Sequence, residues 1–517
     1  MPPQAIVHFL SGRDVKGNPP ADERLISYDL WGSRAHVLML CRQGILSGRD
    51  GRKILRGLKT LELLYRRGRF HLDPAKEDVH SNIESFLIQT VGLEAGGKIH
   101  TGRSRNDQIA MDMRLYLRDR ALEFVEGMID LTAVLLDRAD EHRLTLMPGY
   151  SHYQRAMVTT FGHLLLSFAE ALERDIQRFI HWVSLFNQNP LGAAAGYGTS
   201  FNLDRQLTSK LLGFEGPTGN VTDPITQRWE PEAEVAYDVA MMMNHLSTMA
   251  QNLILLSTGE FRMVRLHDRH CSGSSIMPQK RNPDTLEVIK AKASFAQGIL
   301  TSFLSVGKAL FVGYNRDTQW TKYWIMDLVE ETLPALSVMA DIIRLLEVDR
   351  GQMAKEARGE FIGTTALMEW LVHSFGIPLR KAKMITEKAV RYSEEEGAEE
   401  VTSGSLNQAL REMGIDISVK AQSVKEAQQP EGILTRTGSI GMPSEKRVKE
   451  HLVSLREQIG EDQKWFSREK KEMEKAKGLV LKMEKELLRH ERGSAVARLG
   501  RSVQKESNER RRKYGKV

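Results

Sequence analysis

Cysteine is nearly absent. Two of 517 residues, Cys41 and Cys271, are all the chain holds. That excludes a disulfide framework and a zinc site built on thiolates, and it fits a reducing, cytoplasmic setting. Met1 to Asp14 has no basic stretch followed by an apolar run, so no signal peptide is expected there. A long hydrophobic run is missing too. The best candidate, Val239–Gly259, lacks Asp, Glu, Lys and Arg but is broken by Asn244, His245, Gln251 and Asn252. It reads as a buried helix, and no membrane span is expected. There is no GxxxxGK[ST], no HExxH and no EF-hand loop. Gly192 to Gly198 is glycine-rich but lacks the βαβ setting of a dinucleotide fold, so it is assigned a turn or packing role.

Nor is the body basic. The net charge of +6 is uneven: residues 461–517 carry 18 Lys+Arg against 10 Asp+Glu, and the rest carry 55 against 57. Nucleic-acid binding by the whole protein loses its support. What is present is helix. Val235, Val239, Met242, Leu246, Met249, Leu253 and Leu256 step by four and three, a heptad seam that needs helical neighbours. Similar runs start near Asp107 (Ile109, Met113, Leu117, Phe124, Met128, Leu131, Leu135) and after Gln154 (Phe161, Leu165, Phe168, Leu172, Phe179, Val183). A fourth begins at Asn282-Pro283-Asp284, with Asn as expected N-cap and Pro in the first turn, and includes Leu286, Ile289, Phe295 and Leu300. A fifth spans Trp324–Leu346. The expected fold is all-α, with a long central helical bundle. The length suggests several domains: 1–107, a bundle at 108–355 and a smaller helical unit at 356–460. The segment 461–517 reads as a charged tail, helical and then disordered.

Three polar segments interrupt the helices, each placed by this reading beside a helix start, where free N–H groups favour anions. His100 to Gln108 holds Arg103, Ser104, Arg105 and Asn106, a set able to clamp a carboxylate. Met147 to Gln154 sets His152 beside Ser151 at an expected loop-to-helix junction, suited to acid–base work. Residues 271–284 carry three serines, a glycine and two cations, the mixture of a mobile lid.

Gly273-Ser274-Ser275-Ile276-Met277-Pro278-Gln279-Lys280-Arg281-Asn282-Pro283 resembles the signature loop of the fumarase/aspartase superfamily. Within it the chain resembles the argininosuccinate lyases. Glu77 to Glu84, His100 to Gln108, Met147 to Ala156 with Phe161-Gly162-His163, and Tyr314 to Gln319 extend the resemblance over about residues 10–460. The resemblance implies a three-domain, mainly α-helical subunit and a homotetramer with a site built from three subunits. It implies a cofactor-free, metal-free reaction on a small-molecule substrate. That reaction is the reversible elimination of fumarate from an N-substituted aspartate, releasing arginine when the substrate is argininosuccinate, a step of arginine biosynthesis.

By position, Ser274 is the serine of the mobile loop and the favoured general base, with Lys280 activating it. His152 is the other acid–base candidate, and the division of the two roles stays open. Glu287 matches the residue that orients the histidine. Ser104, Arg105, Asn106, Ser151, Lys280 and Asn282 match those that hold the succinyl carboxylates. Tyr314, Gln319 and Lys322 match contacts to the arginine end, to which Asn18 and Asp22 also align. Departures gather at that end: Asn18 stands where the family has serine, and Trp320-Thr321 where it has an acidic pair. This pattern admits an alternative, a C–N lyase acting on another N-succinyl amine or amino acid. A non-catalytic role, as in the lens crystallins derived from this family, is opposed by Ser274, His152, Lys280 and Asn106. For the tail, a solvated extension is the simpler reading, and polyanion binding the lesser one.

Overall fold

Helix starts are set by side chains that satisfy the free N–H groups of the first turn. In the computed structural model, which describes residues 4–11 and 19–514, the clearest case is the 37-residue helix that follows Ser104. Ser104 Oγ accepts from Asn106 N, and Asp107 Oδ1 accepts from Ser104 N at 2.9 Å, a complete capping box. The N-terminal helices are α1 (Ile26–Arg42), α2 (Gly48–Arg66) and α3 (Val79–Val91). The central bundle holds α4 (Arg105–Glu141), α5 (Phe161–Phe186), α6 (Glu230–Ser257), α7 (Asp284–Gly307), α8 (Thr321–Thr332) and α9 (Pro334–Leu345). Along α6 every residue of the heptad seam is buried, because α4, α5, α7 and α8 pack around it.

Four local expectations are corrected. Residues 146–160 form an antiparallel hairpin, β1 (Leu146–Ser151) and β2 (Gln154–Thr160), so His152 sits at a hairpin turn and the helix starts only at Phe161. Asn282 does not cap α7. It pairs with Ser272 in a short ribbon, β3 (Ser272–Gly273) and β4 (Arg281–Asn282), and Pro283 takes the cap position. The fifth run is two helices, since Pro334 cannot donate to the turn before it. Phe295 of the fourth run is exposed.

Beyond residue 356, helices α10 (Thr364–Phe375), α11 (Leu379–Glu395), α12 (Ser403–Glu412) and α13 (Ala421–Gln428) surround a hydrophobic cluster of their own. The chain then enters α14 (Glu445–Tyr514), 70 residues that pass through position 460 without a break.

Much of α14 is not a solvated extension. Leu452, Ile459, Phe466, Met473 and Val480, spaced by sevens, are all buried in the main core. Charges flank this seam and reach the body: Lys470 to Glu126 at 3.2 Å, Arg456 to Asp137 at 3.2 Å, and Gln177 to Asp462 at 2.8 Å. No helix among the described residues is long and apolar enough to cross a membrane.

The docked seam sets an expectation. Phe466→Ala should lower unfolding stability by about 3 kcal/mol in denaturant titration, the usual loss for a buried aromatic. A solvated helix face would lose less than about 0.5 kcal/mol.

Candidate active site

The start of α4 is held by one buried carboxylate. Asp107 Oδ2 accepts from Gly192 N at 2.9 Å and Ala194 N at 2.8 Å, while Oδ1 closes the capping box. Burial pushes this carboxyl up to about 6, against the pull of its backbone donors. The glycine-rich segment is thus a turn docked on α4. Gly192 and Ala194 take positive φ there, which glycine adopts freely and alanine only under constraint.

The two arginines of this segment part ways. Arg103 is buried and donates to Ser33 Oγ at 3.2 Å, so it belongs to the interior. Arg105 stays accessible, with Nη1 3.0 Å from Asp78 Oδ2 and 3.2 Å from Glu77 Oε2. Ser104 and Asn106 flank it, half-buried.

Glu77 also meets Arg316 at 3.0 Å, which carries the cluster to the 313–322 segment. There Tyr314 donates to Gln319 Oε1 at 3.1 Å. Lys322, 3% exposed, is ion-paired with Asp22, whose other oxygen accepts from Val79 N at 3.2 Å. The structure therefore joins Asp22, Arg105, Tyr314, Gln319 and Lys322 in one polar cluster at the start of α4. Sequence reasoning did not single out Glu77, Asp78, Asp107 or Arg316. Asp78 had a visible signal: it caps α3, accepting from Ser81 N at 2.8 Å. Burial pushes the Asp78 carboxyl up, but His80, Ser81 and Arg105 outweigh it and hold it below its ordinary value.

No hydrogen bond or ion pair links the other expected residues to this cluster. Ser151 ends β1, and His152 and Tyr153 form the turn with φ of 53° and 62°. Left-handed backbone at two non-glycine residues is costly and persists where surroundings hold it. Ser274 Oγ accepts from Ile276 N and Met277 N, which folds the loop tip on itself. Asn282 donates to Ser272 Oγ at 3.3 Å. Lys280 and Glu287 are exposed. No hydrogen bond or ion pair joins His152, Ser274, Lys280 and Glu287. Asn18 lies outside the described residues. Burial raises the Cys271 thiol, which makes it a poor thiolate.

Beneath α4, Asp29, His80 and Asp112 come close enough to share one ion, with Asp29 Oδ2 2.5 Å from His80 Nδ1. Ser33 and Gln108 already donate to Asp29, and Arg103 supplies positive charge alongside. The chemistry is that of a buried charge network.

The family described as Lyase matches residues 24–298. The chain is 38% identical to an argininosuccinate lyase of Hahella chejuensis over 436 residues, 84% of this chain and 92% of that one. It is 38% identical to another from Geobacillus thermodenitrificans over 446 residues, 85% and 94%. Among solved structures, EDDS lyase in complex with formate aligns with a TM-score of 0.86 at 29% identity, covering 95% of this chain and 97% of that one. A β-carboxy-cis,cis-muconate cycloisomerase from Acinetobacter calcoaceticus, at 18% identity and a TM-score of 0.66 over 84% and 96%, shares the fold.

The depressed Asp78 carboxyl fixes the sign of a pH effect. Its stabilisation is present above the unfolded value, about 3.9, and is lost as pH falls through the lower folded value. Thermal unfolding below about pH 4 should therefore show a shallower loss of midpoint with pH in Asp78→Asn than in the parent protein.

Proposed function

This chain belongs to the argininosuccinate lyase family, and from that premise we propose that it cleaves argininosuccinate reversibly to arginine and fumarate, a step of arginine biosynthesis. It is a carbon–nitrogen lyase. The observation that carries the reading is the 38% identity over more than nine-tenths of each relative's length, with the ordered motifs present.

The physical problem is a weakly acidic proton on the carbon beside a carboxylate. A base removes it, the pair of electrons spreads into the carboxylate as an aci-dianion, and the C–N bond then breaks. The departing nitrogen takes a proton. Fixed cations and donors must await the dianion. In this reading Ser274 is the base, made acidic by Lys280 and by closure of the loop, and His152, oriented by Glu287, is the second acid–base group. Ser104, Arg105, Asn106, Ser151, Lys280 and Asn282 hold the succinyl carboxylates. Asp22, Tyr314, Gln319 and Lys322 hold the amine end, together with Asn18. No metal or cofactor enters the scheme.

We also propose the homotetramer, with sites shared between subunits. Its support is that no hydrogen bond or ion pair joins His152, Ser274 and Glu287 within one chain. A cytoplasmic location and the divisions at 107 and 355 belong to the same reading; the separate core of α10–α13 supports the third unit, while the expected boundary at 460 falls inside α14, which returns to the main core.

One observation favours a second reading, a lyase for another N-succinyl amine. The EDDS lyase structure aligns with 95% of this chain at 29% identity, and Trp320, 64% exposed, stands at the amine end.

Purified protein given argininosuccinate should release fumarate, followed by its ultraviolet absorbance. Ser274→Ala should cut the rate on the order of 10³-fold, as expected for loss of a general base. No fumarate from a folded tetramer, with release from a different N-succinyl amine, would select the second reading.

A further inference from the structure

His152 and Tyr153 make a two-residue hairpin turn without glycine or asparagine. Both hold the left-handed backbone such a turn demands, which L-residues keep only where their surroundings enforce it. The His152 side chain supplies none of that restraint: among the described residues, no hydrogen bond or ion pair engages its imidazole. The restraint lies one step down the ladder, where Tyr150 stands opposite Arg155. The Tyr150 ring is 5.6 Å from that of Phe261. Phe261 O accepts from Gln352 Nε2 at 3.3 Å, and the same amide donates to Glu356 Oε1 at 2.9 Å. The other oxygen of Glu356 is ion-paired with Arg155. These contacts close a ring around the base of the turn through Tyr150, Phe261, Gln352, Glu356 and Arg155. The Arg155 and Glu356 side chains are only 25% and 15% exposed, so the pair is less screened than one on the surface.

Arg155 has a second carboxylate within reach, with Nη1 3.4 Å from Glu360 Oε1. Glu360 and Phe361 also take positive φ, 53° and 59°. Phe361 packs on the core of α10–α13, and its N–H donates to Glu399 O at 2.9 Å. One guanidinium thus joins two left-handed turns, the one that carries His152 and the one that opens the third unit. The far end of the hairpin is fixed independently, with Leu146 and Val158 buried against Ala357 and Ile362. We propose that Arg155 is a positioning residue: paired with Glu356 and Glu360, it holds the His152 turn in its left-handed form and so fixes where the imidazole stands. This rests on the reading that His152 is an acid–base group of the lyase reaction. Arg155 touches no reacting atom in that reading. Its effect falls on the geometry of the chemical step and not on substrate affinity. Lysine replaces it only in part, since a point charge does not hold two carboxylates as a planar fork does.

The test follows fumarate release and backbone hydrogen exchange on the assembled protein. Arg155→Gln should lower kcat on the order of 10²-fold, the cost of misplacing a reacting group by about 1 Å, and leave KM within about twofold. Arg155→Lys should regain about tenfold of that loss. Glu356→Gln should show the same split between kcat and KM. The double variant should be no slower than Arg155→Gln alone, since both changes break one clamp. Amides of residues 150–157 should exchange about tenfold faster in Arg155→Gln, and those of α10–α13 as in the parent protein. If Arg155→Gln does not assemble, Arg155→Lys and Glu356→Gln carry the same test. An unchanged kcat, a loss carried by KM, multiplying effects in the double variant, or unchanged exchange at the turn overturns the inference. Failure of the assigned reaction reads differently. If the parent protein cleaves only another N-succinyl amine, the same comparisons are made on that substrate. If it cleaves none, the lyase reading fails on its own, and exchange at the turn alone decides the clamp.

Discussion

The polar cluster at the start of α4 depends on the buried Asp107 carboxylate. It closes the cap of a 37-residue helix with one oxygen and pins the 192–194 turn with the other. Ala193 of that turn and Ala110 of α4 then form the small apolar bed on which Tyr314 rests. Helix start, turn and amine-end segment are therefore one mechanical unit. An acid with no capped helix behind it, or a turn with no acid beneath it, would leave Arg105 and Tyr314 without a common frame.

A second constraint is charge balance in the interior. Arg103 beside Asp29 and Asp112, and Arg228 near Glu232, each set a buried cation against buried carboxylate, and the buried Lys322 pairs with the half-buried Asp22. These sets lie near the surface cluster, where Arg105 and Arg316 share Glu77. The exposed candidate residues are arranged differently. His152 and Ser274 stand on turns, and each turn is satisfied by its own backbone or strand partner. No hydrogen bond or ion pair joins them within one chain.

Periodic apolar spacing made the bundle legible, because a heptad seam on α6 admits few arrangements other than burial among helices. Local chemistry was less legible. The 146–160 hairpin was read as a loop leading into a helix, since its alternation is short and its turn uses His152 and Tyr153 where glycine or asparagine would signal a hairpin. The docked face of α14 was hidden by composition. Its apolar residues recur every seventh position, but the Lys, Arg and Glu between them dominate the count.

The amino-acid order by itself determined the helical architecture and the family, because periodicity and motif order are properties of the chain. It could not say that Arg103 is interior while Arg105 faces outward, or that Lys322 spends its charge on Asp22. Those facts arise where segments separated by tens to hundreds of residues meet. Only the packing of α4, α6 and α8 decides which charges share a dielectric and which reach water.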